Sequence, residues 1–186
     1  THTAGLPLDL TPDVLPYAPG LVAGDVIAAC QRVPVVHPVG EAVRYSNVGY
    51  GLLGAVVARV AGEPLAAVVR RLVLNPLGDG AWFGEEPPRP VAYVADVKSR
   101  WTGTEHEPIN SPFWRGLALP WAGVTATLPG FVRLLLEYSG RPTVGLLPTA
   151  LREEARRDQT PGLAGGFPSG EAFFGMDAGR SVSWSE

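Results

Sequence analysis

Tyr45-Ser46-Asn47 puts a phenol, a hydroxyl and a carboxamide in three consecutive positions, directly ahead of a run with helical periodicity. On its own the triplet has an ordinary structural use. Ser46 or Asn47 can accept from the unpaired N–H groups of a first helical turn. Other chemical signals fail on spacing. Gly49-Tyr50-Gly51-Leu52-Leu53-Gly54 spells G-x-G-x-x-G, but that motif needs a buried strand ending at its first glycine, and residues 41–47 are turn-like. The small residues are read instead as a surface for close helix packing. His2, His37 and His106 are too dispersed for a local metal site and read as loop or surface histidines. Cys30 has no C-x-x-C partner. In Gly166-Phe167-Pro168-Ser169-Gly170 the serine stands one place late for a nucleophile elbow. Glu153 and Glu154 sit among arginines, as on a solvated helix face. No cofactor and no metal is expected.

The elements that must position Tyr45-Ser46-Asn47 follow from composition and period. The chain has 186 residues, 46% of them hydrophobic, which suffices for one core. With 23 glycines and 19 prolines, ordered but loop-rich structure is expected. A net charge of −3 excludes the electrostatic footprint of a nucleic-acid binder. The uncharged run between Arg44 and Arg59 is shorter than the roughly 18–20 residues that span a bilayer. The first residues have no basic n-region or apolar h-region, so neither a signal peptide nor a membrane segment is read in the chain. One cysteine forms no internal disulfide and leaves the compartment open.

Residues 1–23 read as loop. Asp25 is expected to cap a helix from Val26 to about Arg32. Val48, Leu52, Leu53, Val56, Val57 and Val60 predict a helix to Ala61, stopped by Gly62. A second helix opens at Glu63-Pro64, buries Leu65, Val68, Val69, Leu72 and Val73, and ends at Asn75-Pro76. Val91–Val97 reads as a short strand and residues 102–120 as a long ordered loop. Thr127 caps a helix to about Tyr138, with Phe131, Leu134, Leu135 and Tyr138 inward. A charged helix runs from Pro148-Thr149 to about Arg157, and residues 158–186 show no clear period.

Blocks spread over most of residues 1–165 resemble one family. Thr1-His2-Thr3-Ala4-Gly5-Leu6-Pro7 is similar to an H-T-S-G-L-P loop, and Pro38-Val39-Gly40-Glu41 to Tyr45-Ser46-Asn47 to the stretch ending in Y-x-N. Val48-Gly49-Tyr50-Gly51-Leu52-Leu53-Gly54 continues as that family's next helix, and Asn75-Pro76-Leu77-Gly78 matches its closing turn. Glu107-Pro108-Ile109-Asn110-Ser111-Pro112 and Leu119-Pro120-Trp121-Ala122-Gly123 resemble its later P-W-G-G-type segment, before Thr125-Ala126-Thr127 and a helix. The chain thus resembles the serine β-lactamase and penicillin-binding-protein-like hydrolases, in their class C, DD-peptidase and esterase branch.

The resemblance implies an α+β fold of which this chain supplies mostly the helical, loop-rich subdomain, with little strand and an open apolar flank where the sheet would pack. It implies Tyr45 as general base, Asn47 as the amide that orients lysine and substrate, and Ser46 and Trp121 as substrate-lining residues. A phenol of ordinary pKa near 10 is a base only where cations favour the phenolate. Trp101, Trp114 and Trp121 line an acyl cleft or anchor loops on the core. The implied partner is a small-molecule acyl substrate: ester, β-lactam or peptide. The departures are large. The nucleophile of that family comes from S-x-x-K, whereas here Ala95 stands three residues before the one lysine, Lys98. K-T-G and H-x-G are absent, and Met176 falls where F-G-H-x-G would put histidine. Residues 1–186 are therefore expected to be a partial domain, inactive alone, with serine and lysine upstream of Thr1. The alternative is a complete but catalytically degenerate binding or scaffold module.

Overall fold

A leading loop runs over residues 1–22 before α1 begins, in a computed structural model that describes residues 1–95, 97, 99–139 and 141–165. The helices are α1 (Ala23–Arg32), α2 (Asn47–Ala61), α3 (Leu65–Val69), α4 (Asn75–Leu77), α5 (Pro112–Gly116), α6 (Leu128–Tyr138) and α7 (Thr149–Arg156). Strand is sparse among the described residues. β1 (Ala42–Val43) pairs parallel with β4 (Ala164–Gly165), and β2 (Ala81–Phe83) pairs antiparallel with β3 (Val124–Ala126). The fold is mostly helical and loop-rich, as the sequence leads one to expect.

α1 starts three residues ahead of the expected Val26. Val22 is the N-cap and Asp25 lies inside the first turn, where its carboxylate accepts the Val22 N–H at 3.1 Å. α2 matches expectation, with Gly62 in the left-handed region (φ 71°) at its C-terminus. Its buried face is the one that the small residues of Gly49–Gly54 lead one to expect as a close-packing surface. Val48, Gly51 and Gly54 are the buried residues, while Leu53, Val56 and Val60 point outward, Val60 at 84% exposure. The reason is close approach. A Cβ on Gly51 would stand 2.5 Å from Cys30 Sγ on α1, and one on Gly54 2.6 Å from Pro120 Cγ. Backbone and small side chains make this contact, so the branched residues fall on the other side.

Pro76 does not end the next helix. Between α3 and α4 the chain widens into a π-helical turn over Arg70–Leu74, in which the Asn75 N–H bonds the Arg70 carbonyl. A proline ring clashes with the carbonyl four residues back, and the wider turn relieves that clash. Val68, Leu74 and Leu77 are buried, but Leu72 of the expected stripe is exposed. Arg70 pairs with Glu85, and Arg71 with Glu63.

The expected strand at Val91–Val97 is not formed among the described residues. Instead the Asn110 carboxamide takes the role of a neighbouring strand, accepting the Val94 N–H at 2.8 Å and donating to the Val94 carbonyl at 2.9 Å. The loop expected over residues 102–120 contains α5, capped by Ser111 Oγ on the Trp114 N–H at 3.1 Å. Buried Arg115 ties it down, with paired bonds to Glu86 at 2.9 and 2.7 Å and a bond to the Asn110 carbonyl at 3.0 Å. Among the described residues the core has two patches, Leu6–Cys30–Val48 and Val26–Leu117–Leu119, and Leu10 and Trp121 pack against both.

α6 is capped by Thr127 as expected, its Oγ1 accepting the Gly130 N–H at 3.2 Å. Tyr138 is 40% exposed, and the buried residues of α6 are Gly130 and Glu137. Glu137 lies just before the helix end, where the loop wraps around its carboxylate. The N–H groups of Thr143, Val144, Gly145 and Leu146 and the Thr143 hydroxyl all donate to it, at 2.8–2.9 Å. Burial pushes this carboxyl up, but the donors from Leu146, Val144 and Thr143 outweigh it and hold the pKa at about 2. A carboxylate depressed on folding contributes stability above its unfolded pKa of 4.5 that is lost as pH falls toward about 2. Glu137→Gln keeps one acceptor but turns an NH2 toward N–H donors, and is expected to cost about 2–3 kcal/mol at neutral pH. Urea midpoints at pH 7 and pH 3 test this: the gap between wild type and variant narrows at pH 3, and a pH-independent gap contradicts it.

Candidate active site

Tyr45, Ser46 and Asn47 form the entry to α2, and the leading loop is fastened across them. The carbonyls of residues 2–8 do the fastening. His2 O accepts the Arg44 N–H at 2.8 Å, Thr3 O the Gly40 N–H at 2.8 Å, and Gly5 O the Val36 and His37 N–H groups at 2.9 and 3.0 Å. Pro7 O accepts the Ser46 hydroxyl at 2.7 Å and Leu8 O the Asn47 N–H at 2.7 Å. Gly5 (φ 68°) allows the contact, since a Cβ there would collide with the His37 carbonyl. Leu6, next along, drops into the core beside Val48 and Cys30.

Each residue of the triplet has a distinct setting. Ser46 is buried, and its hydroxyl serves the fold twice, donating to Pro7 O and accepting the Gly49 N–H at 2.9 Å as N-cap of α2. The capping use read from the sequence is therefore real, and it falls to Ser46. Asn47 is half-buried and donates through Nδ2 to Asp9 Oδ2 at 3.1 Å. Tyr45 is half-buried with its ring 4.5 Å, centroid to centroid, from the His2 imidazole. His2 Nδ1 accepts the Ser46 N–H at 3.1 Å, and the same ring lies 5.2 Å from that of Tyr50. Burial of Tyr50, with Tyr45 and Tyr138 nearby, pushes its phenol pKa up. Sequence reasoning took His2 for an unremarked loop histidine and did not single out Asp9. Their bonds to Ser46 and Asn47 cross 44 and 38 positions, so no local pattern points to either.

Trp101, Trp114 and Trp121 each have a packing or hydrogen-bond partner in the fold. Trp121 lies against Gly51, between the two core patches. Trp114 packs on the second patch, and Trp101 donates Nε1–H to the Tyr17 carbonyl at 3.2 Å. The Tyr17 hydroxyl donates to the His106 carbonyl at 2.9 Å, and burial pushes its pKa to about 12. A groove of about 320 Å3 runs along α1 past Leu15, Leu21, Asp25 and Arg32, and shares no residue with the triplet. Among the described residues, no three of His, Cys, Asp and Glu gather as metal ligands would. No single helix among them is long and apolar enough to cross a membrane; α2 taken with the helix after it passes by length and composition, but bends by 77° at the break. Residues 166–186, with Met176 and the Gly166–Gly170 stretch, lie outside the described residues.

The fold is that of the serine hydrolases of β-lactamase and penicillin-binding-protein type. The family model described as Beta-lactamase matches residues 1–184, and the chain belongs to that family. Solved structures with the same fold include the octameric penicillin-binding protein homologue from Pyrococcus abyssi (20% identity, TM-score 0.62), covering 85% of this chain and 37% of that one. A penicillin-binding protein homologue from Caulobacter crescentus is similar at 22% identity and TM-score 0.57, covering 85% of this chain and 47% of its own. SurE, crystallised with D-Leu, is similar at 26% identity and TM-score 0.57, covering 97% of this chain and 38% of its own. The chain thus spans less than half the length of each. No curated protein matches it.

Ser46→Ala removes both the cap of α2 and the bond to Pro7, and is expected to lower unfolding stability by about 1–2 kcal/mol. Urea denaturation followed by circular dichroism measures this, and an unchanged midpoint contradicts the double role of the hydroxyl.

Proposed function

We propose that residues 1–186 are the central part of an acyl-transfer hydrolase domain whose nucleophilic serine and its lysine lie outside this stretch. Tyr45 is the general base, and Asn47 orients the lysine and the carbonyl side of the substrate. The observation that carries this reading is the triplet itself, pinned from residue 44 to residue 47 by the leading loop, with the Tyr45 ring half-exposed beside His2. The Asp9 carboxylate fixes the Asn47 amide, while Ser46 is the cap that holds the two on either side of it. The outward apolar residues of α2, Leu53, Val56 and Val60, support a larger domain packed against this face.

The chemistry this arrangement suits is formation of an acyl-enzyme. A lysine ammonium beside the phenol favours the phenolate, which accepts the proton of the serine hydroxyl as Oγ attacks the acyl carbon. The alcohol or amine of the substrate leaves with a proton, and water then releases the acid and restores the serine. Substrates of this class are small-molecule esters, amides, peptides and β-lactams. Without an S-x-x-K serine, Tyr45 has no hydroxyl to activate, and the 186-residue chain does not turn over.

Two arms of one experiment test this reading. The 186-residue chain treated with a fluorophosphonate or a β-lactam is expected to show no covalent adduct by intact-mass spectrometry, and an adduct on any serine overturns its inactivity. A longer product of the reading frame is expected to carry S-x-x-K and to be acylated, with Tyr45→Phe slowing acylation by about 10²–10⁴-fold. A near-normal rate removes Tyr45 as base, and a frame without S-x-x-K favours the binding-module alternative.

A further inference from the structure

His2 brackets Tyr45 from both sides along the chain. Its backbone carbonyl accepts the Arg44 N–H at 2.8 Å, the amide before Tyr45, and its Nδ1 accepts the Ser46 N–H at 3.1 Å, the amide after. Its ring then lies 4.5 Å from the Tyr45 ring, inclined by 32°, and 5.2 Å from the Tyr50 ring. To reach all of these, His2 takes a left-handed backbone conformation (φ 56°), which a non-glycine residue rarely adopts without compensating contacts. An amide N–H can be accepted only by a nitrogen that carries no proton, so the bond to Ser46 requires the neutral ring with its proton on Nε2.

We propose that His2 is the positioning residue of Tyr45, a clamp that fixes the backbone and ring of the phenol only while Nδ1 is unprotonated. The proposal rests on the reading of Tyr45 as base. Asparagine or glutamine could accept the same amide but would not stack on the phenol. Phenylalanine could stack but not accept. Histidine does both, and adds a release at acid pH. Among the described residues, the titratable groups against the imidazole include Tyr45 and Tyr50, with Tyr138 of α6 near Tyr50, and in the 186-residue chain the Thr1 amino group. Burial lowers the pKa of His2 from 6.5, helped in the 186-residue chain by the Thr1 amino group, so the clamp is closed at neutral pH and opens only on further acidification.

The test uses the 186-residue chain, with histidine labelled in 15N and tyrosine in 13Cζ, across a pH titration by NMR. At pH 7 His2 is expected to show an unprotonated Nδ1 and a protonated Nε2. The Ser46 amide and Tyr45 Cζ resonances are expected to move together with His2, at one midpoint below 6.5. In His2→Phe the shared transition disappears and the Ser46 amide exchanges about tenfold faster or more. In His2→Asn the transition disappears but slow exchange is restored, which a merely space-filling role would not produce. A proton on Nδ1 at pH 7, or a Tyr45 resonance indifferent to His2 ionisation, overturns the proposal. Neither result touches acylation by the longer product, so failure of the clamp and failure of Tyr45 as base are read separately.

Discussion

Residues 1–9 and 35–47 contribute one helical residue and one two-residue strand between them, yet both are ordered because each satisfies the other. Backbone N–H and C=O groups taken out of water must find partners, and in the leading loop those partners are the amides of Val36, His37, Gly40, Arg44 and Asn47. The arrangement tolerates little change. It needs Gly5 where the chains touch, Leu6 in the core, and Ser46 to reach both Pro7 and the first turn of α2. The location of Tyr45 follows from these contacts and not from any element of its own.

The second constraint is the glycine face of α2. Because Gly51 and Gly54 bring its backbone against Cys30 and Pro120, the helix is fixed tightly on its inner side and bare on its outer side. That asymmetry supports the proposed larger domain; the chain spans 37–47% of the solved structures it resembles here. The triplet at one end of α2 and the exposed apolar residues along it belong to one helix.

Much of this was legible in the sequence, and what was hidden has physical reasons. Helix ends governed by one residue could be read: Gly62 stops α2, and Thr127 opens α6. The family blocks pointed to the correct fold. The glycines of α2 could be read as a close-packing surface, but not which neighbours they meet, because Cys30 and Pro120 lie far away in the sequence. The π-helical turn before Pro76 escaped because a proline in a helical pattern normally predicts a stop. Val91–Val97 has the composition of a strand, but its partner is one asparagine side chain, Asn110. His2 was missed because its bond to Ser46 crosses 44 positions, and no local pattern announces such a contact.

The claim on which everything else rests is that the leading loop and the turn before α2 form a single cooperative unit. Native-state hydrogen exchange on the 186-residue chain tests it most directly. The amides of Val36, His37, Gly40, Arg44 and Asn47 are expected to be protected and to open together, with one shared free energy. Exchange of these amides at the rate of a free loop, while α2 remains protected, would contradict it.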